Sequence, residues 1–449
     1  MDDLKLKDDD LKIQTLGRAK LDSPLGLSTV FGDDIVNYMD DTESVLIFDE
    51  KSSVLRAVEE KRPLLSFEKA GPRQKIYFDP SKTRAAIVTC GGLCPGINNV
   101  IRSLVRTLAL GYGVKTIFGI RYGYEGFIAS FGHEPIMLDL DVVDEIHITA
   151  GTVLGSSRGP QPVDEIVDCL ERMNISILFT IGGDGTLSGA DEINQEIQRR
   201  GLKIAVIGIP KTIDNDISYV QKTFGLETAF SVAAEAIQTA HAEATGASYG
   251  IGLVKVMGRL SGFIAANAAL ALNEVNFVLI PEVPFELKGE KGLFKVIENR
   301  FKKGKAHAVI IVAEGAGQEF FKDKSGARDA SGNPKLGDIG IFLRDEIKRH
   351  FTSVRKIPVN LKYIDPSYMV RSVTANAHDA IYCVQLAQHA VHAGMAGKTG
   401  MIVSMWHSCF THVPIKLAIS QKKKISPEST LWLSVLSETG QPFSMINDR

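Results

Sequence analysis

The sequence predicts an α/β protein with mainly parallel sheets, and three observations carry that expectation. Apolar, β-branched runs end in glycine, as residues 175–181 do before Gly182-Gly183. Segments of helical character follow those glycines, which is the order of a βαβ unit. The composition, 44% hydrophobic with 41 glycines in 449 residues, suits a loop-rich α/β protein better than a coiled coil or a disordered chain.

The elements follow in chain order. Residues 1–82 are charged and broken by Asp8-Asp9-Asp10, Asp40-Asp41 and several prolines, and read as an N-terminal extension packed on the main body. Residues 84–89 form a strand that runs into Gly91-Gly92-Leu93-Cys94-Pro95-Gly96. A helix over 98–110 and a strand over 114–120 come next, then a helix over 163–173. The strand 175–181, a helix over 187–199 and a strand over 203–209 ending at Pro210 complete the first α/β segment. A second segment has a long helix over 224–244 and strands at 250–256, 277–280 and 307–312. Ligands of parallel sheets sit at the carboxyl ends of strands. Three glycine-rich turns, 91–96, 182–186 and 208–216, are therefore expected to converge on one edge. Lys422-Lys423-Lys424 reads as a solvated surface run.

Charge and cysteine usage exclude several classes. With 51 Lys+Arg against 53 Asp+Glu the net charge is −2, which argues against a nucleic acid or a membrane surface as the main partner. The five cysteines are odd in number and mostly scattered, so a reducing compartment is favoured over a disulfide framework. Cys90 and Cys94 have no second Cys/His pair near them to complete a zinc site. No apolar stretch is long enough to span a bilayer. Met1-Asp2-Asp3-Leu4 is too acidic for a secretory or transit signal, and Asn447-Asp448-Arg449 is not a peroxisomal address. A cytoplasmic location is the expectation.

The chemistry concentrates in a few turns. Gly182-Gly183-Asp184-Gly185-Thr186, between a buried strand and a helix, puts backbone N–H groups where a polyphosphate can sit. Asp184 would repel that ligand unless a divalent cation lay between carboxylate and phosphate. A plain turn is the alternative. Pro210-Lys211-Thr212-Ile213-Asp214-Asn215-Asp216 sets two carboxylates two residues apart beside a lysine. One aspartate can accept a proton from an attacking hydroxyl, the other can help hold Mg²⁺, and the lysine can neutralise a moving phosphoryl group. A capped loop is the alternative here. Three weaker signals are Arg259 in Val256-Met257-Gly258-Arg259-Leu260-Ser261-Gly262, Arg158 at the end of Gly151-Thr152-Val153-Leu154-Gly155-Ser156-Ser157-Arg158, and Glu314 in Ala313-Glu314-Gly315. A guanidinium can fork onto phosphate oxygens, and a strand-end carboxylate can accept sugar hydroxyls. Structural ion pairs compete with each reading.

Taken together and in order, these motifs resemble the phosphofructokinase family over residues 84–420. They are Cys90-Gly91-Gly92-Leu93-Cys94-Pro95-Gly96, the Gly-Gly-Asp-Gly-Thr turn, Pro-Lys-Thr-Ile-Asp-Asn-Asp, Met257-Gly258-Arg259 and Pro281-Glu282-Val283-Pro284. Leu361-Lys362-Tyr363-Ile364-Asp365-Pro366-Ser367-Tyr368 is similar to a long-chain branch related to the pyrophosphate-dependent enzymes, which includes ATP-dependent ones from parasitic protists.

The resemblance implies an α/β fold of two Rossmann-like, three-layer domains with mainly parallel sheets, plus the N-terminal extension 1–82. Residues 83–225 and 370–425 would bind nucleotide, 226–369 would bind fructose 6-phosphate, and 426–449 would be a C-terminal tail. The cleft between the domains would move a phosphoryl group from ATP to the sugar's 1-hydroxyl, with Mg²⁺ as cofactor. Asp214 would be the base. Asp184 would contact Mg²⁺ and Asp216 would support it. Lys211 and Thr212 would face the transferred group, with Arg259 near it. Gly92, Gly183, Gly185, Thr186 and Arg158 would surround the donor phosphates. Tyr124 would pack on adenine, with a buried loop tyrosine as the alternative. Met257, Gly258, Glu314 and Tyr363 would line the sugar pocket, and Arg371 would meet the 6-phosphate. A homotetramer is the family expectation, with a homodimer as the alternative.

Five positions depart from the short bacterial-type pattern, match only part of it, or bear on the donor. Gly250 stands where short enzymes carry an arginine that reaches a neighbouring subunit. Arg102 and Arg106 match positions used for effector phosphates there, but the rest of that site does not transfer, and a solvated helix-face pair is expected. Pyrophosphate users carry aspartate where this chain has Gly185, which leaves room for a nucleotide's α-phosphate. Lys211 is common in pyrophosphate users, yet an added cation helps either donor. ATP is therefore the expected donor, with a pyrophosphate-dependent enzyme as the alternative. NAD and lipid kinases share the glycine turn but lack the Pro-Lys-Thr-Ile-Asp-Asn-Asp segment. A non-catalytic sugar-phosphate-binding subunit would have lost Asp214 or Asp184.

Overall fold

The computed structural model describes residues 6–321 and 334–448. Met1–Leu4 and Arg449, on which the reading of the termini rests, lie outside them. The chain divides into two compact units. Unit 1 holds residues 1–212, 217–224 and 374–421, and unit 2 holds 213–216, 225–373 and 422–449.

The sheet of unit 1 has seven strands among the described residues. Five parallel strands form its middle, in the order Met401–Trp406, Ala205–Pro210, Ile177–Gly182, Arg84–Thr89 and Thr116–Ile120. Antiparallel strands close both edges, Cys409–Pro414 on one side and Ile136–Met137 on the other. The central strands are buried on both faces apart from Arg84 at one end, in keeping with their near-continuous apolar sequences. The chain leaves Arg84–Thr89 first to one side and later returns on the other. The strand order thus reverses there, and Gly91-Gly92 and Gly183-Asp184 emerge on either side of the reversal.

The strands Arg84–Thr89 and Gly250–Val256 have the bounds read from sequence, and the other expected strands differ at their ends by one or two residues. The larger difference is at the glycine turn. The helix begins at Asp184, not at 187, and runs to Arg199. Gly183 is extended, and its carbonyl already accepts Thr186 N and Leu187 N at 3.0 and 2.9 Å. Glycine read as a breaker hid a helix start. The helix expected over 98–110 is α-helical over Ile97–Arg106 and then widens into a π-helical turn, Thr107–Tyr112.

The segment before residue 83 contributes to the core of unit 1. Leu11, Ile47 and Phe67 are buried in the same cluster as Val88, Leu178 and Val206. Phe67 sits edge-on to Tyr219 and Trp406, and Ala70 N donates to Phe410 O at 2.8 Å.

Unit 2 carries a four-stranded, fully parallel sheet in the order Phe277–Leu279, His307–Ala313, Gly250–Val256, Asn360–Ile364. The alanine-rich helix Leu226–Thr245 lies close on Gly250–Val256. A Cβ at Gly252 would stand 2.7 Å from the Ala240 carbonyl, so only glycine permits that approach. The last helix, Thr430–Thr439, belongs to this unit, and Gln441 bonds both backbone groups of Val278.

Candidate active site

In unit 1 the turns after two neighbouring strands are laced together by backbone. Cys90 N donates to Ile181 O, and Gly91 N to Ser157 O, each at 3.0 Å. Thr89 Oγ1 donates to Gly155 O and Ser156 Oγ to Gly91 O, each at 2.7 Å. The loop ending in Arg158 is thereby fixed beside Gly91-Gly92, and Arg158 itself is exposed. A Cβ at Gly182 would collide with Thr186 at 2.1 Å, which forces glycine at the strand end. A Cβ at Gly185 would meet nothing within 4 Å, so the first helical turn is open on that side. Half-buried Asp184 is the first helical residue, where helix N–H groups lack intrahelical acceptors.

Lys211 is 5% exposed and joins both turns. Its N donates to Gly182 O at 2.9 Å and its Nζ to Gly92 O at 2.6 Å. Thr212 follows, its carbonyl accepting Thr223 Oγ1 at 2.6 Å. Tyr124 is 6% exposed and packs against Gly189, its hydroxyl donating to Thr186 O at 2.7 Å. The buried-loop alternative thus describes its surroundings, and its ring acts as a strut under the glycine turn. Burial pushes the Cys90 thiol up to about 12, and Cys94 Sγ donates to Phe224 O at 3.2 Å. Both cysteines are packing residues.

Unit 2 assembles the other constellation. Asp214 is half-buried, with its Oδ1 shut off from solvent. Arg259 N donates to Asp214 Oδ2 at 3.3 Å, and Ser261 Oγ to the Asp214 carbonyl at 2.7 Å. Burial, then the neighbouring carboxylates of Asp216 and Glu314, push the Asp214 carboxyl well above the usual range. Gly258 adopts φ +128°, and a Cβ at Gly315 would overlap the Arg259 carbonyl. The Met257-Gly258-Arg259 and Glu314-Gly315 turns therefore touch backbone to backbone, with Gly315 N donating to Gly258 O at 3.0 Å. The Arg259 guanidinium donates to Pro334 O. Burial raises the Glu314 carboxyl, opposed by Arg259, Lys255 and Arg371. The Arg371 guanidinium lies over the Tyr368 ring at 4.9 Å. Tyr363 lies against Gly340, its hydroxyl 3.5 Å from Asp365, and burial raises it to about 12.

Two sequence expectations need correction. Lys422-Lys423-Lys424 is not a solvated run. Lys422 Nζ donates to Asp216 Oδ2 at 2.6 Å, Lys423 lies over the Phe263 ring, and only Lys424 is exposed. Arg102 and Arg106 are half-buried, not solvated. They line a cavity of about 620 Å³ in unit 1 with His147, Gln388 and His392, and Arg102 Nε donates to Asp144 O at 2.9 Å. Lys255, which pairs with Asp365 at 2.8 Å and Asp338 at 3.3 Å, escaped sequence reading because it sits inside an otherwise apolar strand.

Among the described residues no group of three or more His, Cys, Asp or Glu side chains could hold a metal by itself. That suits Mg²⁺, which takes one or two carboxylates and fills its shell with water and substrate phosphates. Asp184, beside open space at Gly185, fits such a role. Asp216 Oδ2 already accepts the Lys422 ammonium, so any support it gave a cation would be indirect.

The phosphofructokinase family model matches residues 84–394. An ATP-dependent 6-phosphofructokinase of Borreliella burgdorferi is 49% identical over 98% of both chains. The enzyme of that name from Trypanosoma brucei brucei is 48% identical over 83% of this chain and 76% of its own. A pyrophosphate-dependent phosphofructokinase structure from Marinobacter aquaeolei superposes with a TM-score of 0.64 over 82% of this chain and 94% of its own, at 20% identity. A Pichia pastoris phosphofructokinase structure gives 0.63 at 24% identity, over 84% of this chain and 41% of that longer one. The fold is shared with both structures, and the chain belongs to the phosphofructokinase family.

Proposed function

We propose that this chain transfers the γ-phosphoryl of ATP to the 1-hydroxyl of D-fructose 6-phosphate, giving fructose 1,6-bisphosphate and ADP. The observation that carries the reading is Asp214, a half-buried residue whose carboxyl has one oxygen shut off from solvent and the other held by Arg259 N, and is raised by burial, then by Asp216 and Glu314. A carboxylate poised near neutrality is the base that a sugar hydroxyl needs. It takes the hydroxyl proton as the oxygen attacks phosphorus, and ADP leaves.

The other roles are those the family resemblance implies. Gly92, Gly183, Gly185, Thr186 and Arg158 form the donor-phosphate surroundings, with Tyr124 bracing Thr186. Lys211, Thr212 and Arg259 neutralise charge that spreads over the moving phosphoryl group. Met257, Gly258, Glu314, Tyr363 and Arg371 bind the sugar phosphate. Mg²⁺, held by Asp184 with Asp216 in support, supplies charge neutralisation at the donor phosphates when bound. We further propose a cytoplasmic homotetramer. No helix among the described residues is long and apolar enough to cross a membrane.

The test is turnover of fructose 6-phosphate with Mg²⁺, comparing ATP with pyrophosphate on one preparation. Turnover with ATP supports the reading. Turnover with pyrophosphate alone would replace it with the pyrophosphate-dependent 1-phosphotransferase.

A further inference from the structure

The lysine run of unit 2 is bonded to the Asp214–Asp216 loop at two points. Lys422 Nζ donates to Asp216 Oδ2 at 2.6 Å, and Lys423 N donates to the Asp216 carbonyl at 3.0 Å. Just beyond, Ile425 N donates to Glu282 Oε1 at 2.9 Å, and the same oxygen accepts Gly262 N at 3.1 Å. Gly262 ends the turn that starts at Met257. Within that turn Ser261 Oγ and Arg259 N both donate to Asp214. A ring of hydrogen bonds therefore closes from residues 422–425 through Glu282 and the arginine turn to Asp214, and back through Asp216.

The strap is anchored on its own account. Ile425 is 3% exposed, and the Lys423 ammonium lies 5.1 Å over the Phe263 ring. The Lys422 and Asp216 side chains are only 30% and 11% exposed. A pair so shielded is held in one geometry more firmly than a solvated bridge, whose partners exchange with water.

We propose that Lys422 is a positioning residue for phosphoryl transfer. Its ammonium fixes the Asp216 carboxylate, and the strap holds the loop carrying Asp214 against the Arg259 turn. This rests on the reading of Asp214 as the base.

The test uses the purified full chain as Lys422→Met, Lys422→Arg and Lys424→Met. Three readouts are needed: kcat, equilibrium binding of fructose 6-phosphate, and the thermal midpoint. Lys422→Met should lower kcat roughly 10- to 100-fold, the scale of a small misplacement of a reacting group. Sugar-phosphate affinity should stay within about twofold, since the sugar-binding side chains are intact. Lys422→Arg should recover most of the rate, and exposed Lys424→Met should match the parent. A Lys422→Met enzyme with the parent kcat overturns the proposal. So does a parallel loss of kcat, affinity and thermal midpoint that arginine does not rescue, because that pattern marks fold support alone. Failure of the underlying reading is separate, and would appear as full turnover in Asp214→Asn.

Discussion

Lys211 donates its ammonium to the carbonyl of Gly92 at 2.6 Å while its own N–H holds Gly182 O. One side chain thus ties the turns after two neighbouring strands and places a cation between them. On the proposed reading that charge would serve any polyphosphate alike, because it is fixed by the backbone of the turn and not by the donor. Lys211→Met should therefore lower kcat with each donor the enzyme accepts, by about 10²- to 10³-fold, the scale of losing one preorganised charge donor. The ratio of ATP to pyrophosphate turnover should hardly move. A variant that changed that ratio tenfold would make Lys211 a donor selector and refute this account.

Gly185 carries the opposite expectation. A Cβ there meets nothing within 4 Å, so aspartate fits the folded chain without a clash. In the first helical turn its charge is even mildly favourable. Gly185→Asp should keep the parent thermal midpoint and lose ATP turnover far more than any pyrophosphate turnover. Matched losses in kcat/KM for both donors would show that space beside the turn does not govern donor choice.

For Asp214, asparagine keeps an oxygen to accept Arg259 N but has no basic carboxylate. Asp214→Asn should reduce kcat by about 10²- to 10⁴-fold, the span attributed to general-base catalysis. Its affinity for fructose 6-phosphate should be nearly unchanged.

The same carboxyl, pushed up to about 7, sets a pH dependence. If Asp214 is the base as proposed, its ionised form is the active one, so kcat should fall as pH drops through about 7. Because the folded-state value lies above the ordinary 3.8, the folded chain binds this proton more tightly than the unfolded chain. Asp214 alone therefore favours folding more at pH 4 than above 7, even as activity disappears. A kcat that stays flat from pH 8 to pH 5 would contradict the assignment.

Much of this was legible in the sequence because strand ends and glycine turns leave local signatures. Residues 175–181 are apolar except for Ser176 and Thr180, and Gly182 follows where no Cβ fits beside Thr186. What escaped reading depends on distant partners. Lys422 pairs with a carboxylate 206 residues earlier, and a lysine run looks the same whether solvated or folded back. For Tyr124 the sequence left adenine packing and a buried loop tyrosine both open, because the partner that settles its surroundings, Thr186 O, lies 62 residues away. The hairpin Met401–Trp406/Cys409–Pro414 turns on His407 and Ser408, both at positive φ, where Asn-Gly would have announced it.

Besides its core packing, the segment before residue 83 is fastened to unit 1 by a buried ion cluster centred on Glu68, and that gives a stability prediction. Glu68 accepts His412 Nδ1 and Arg73 at 2.9 Å each and lies 3.0 Å from Lys398, with its side chain 18% exposed. Burial opposes its charge, but His412 and Lys398 outweigh that cost, and the carboxyl is held down to about 2. Glu68→Gln keeps the shape and removes the charge from among these groups. Asp41 still pairs with Arg73 and Lys398, at 2.7 and 3.1 Å, so the loss should fall below the ~3–5 kcal/mol typical of a broken buried pair, at about 2 kcal/mol. Because the folded-state value is depressed, the Glu68 contribution is complete above the ordinary 4.5 and fades as pH falls toward 2. Urea unfolding of parent and variant should therefore differ clearly at pH 7 and converge on acidification below about 4.5. A gap that persisted unchanged to pH 3 would mean that glutamine disturbs packing, and that the charge of Glu68 is not what fastens this segment.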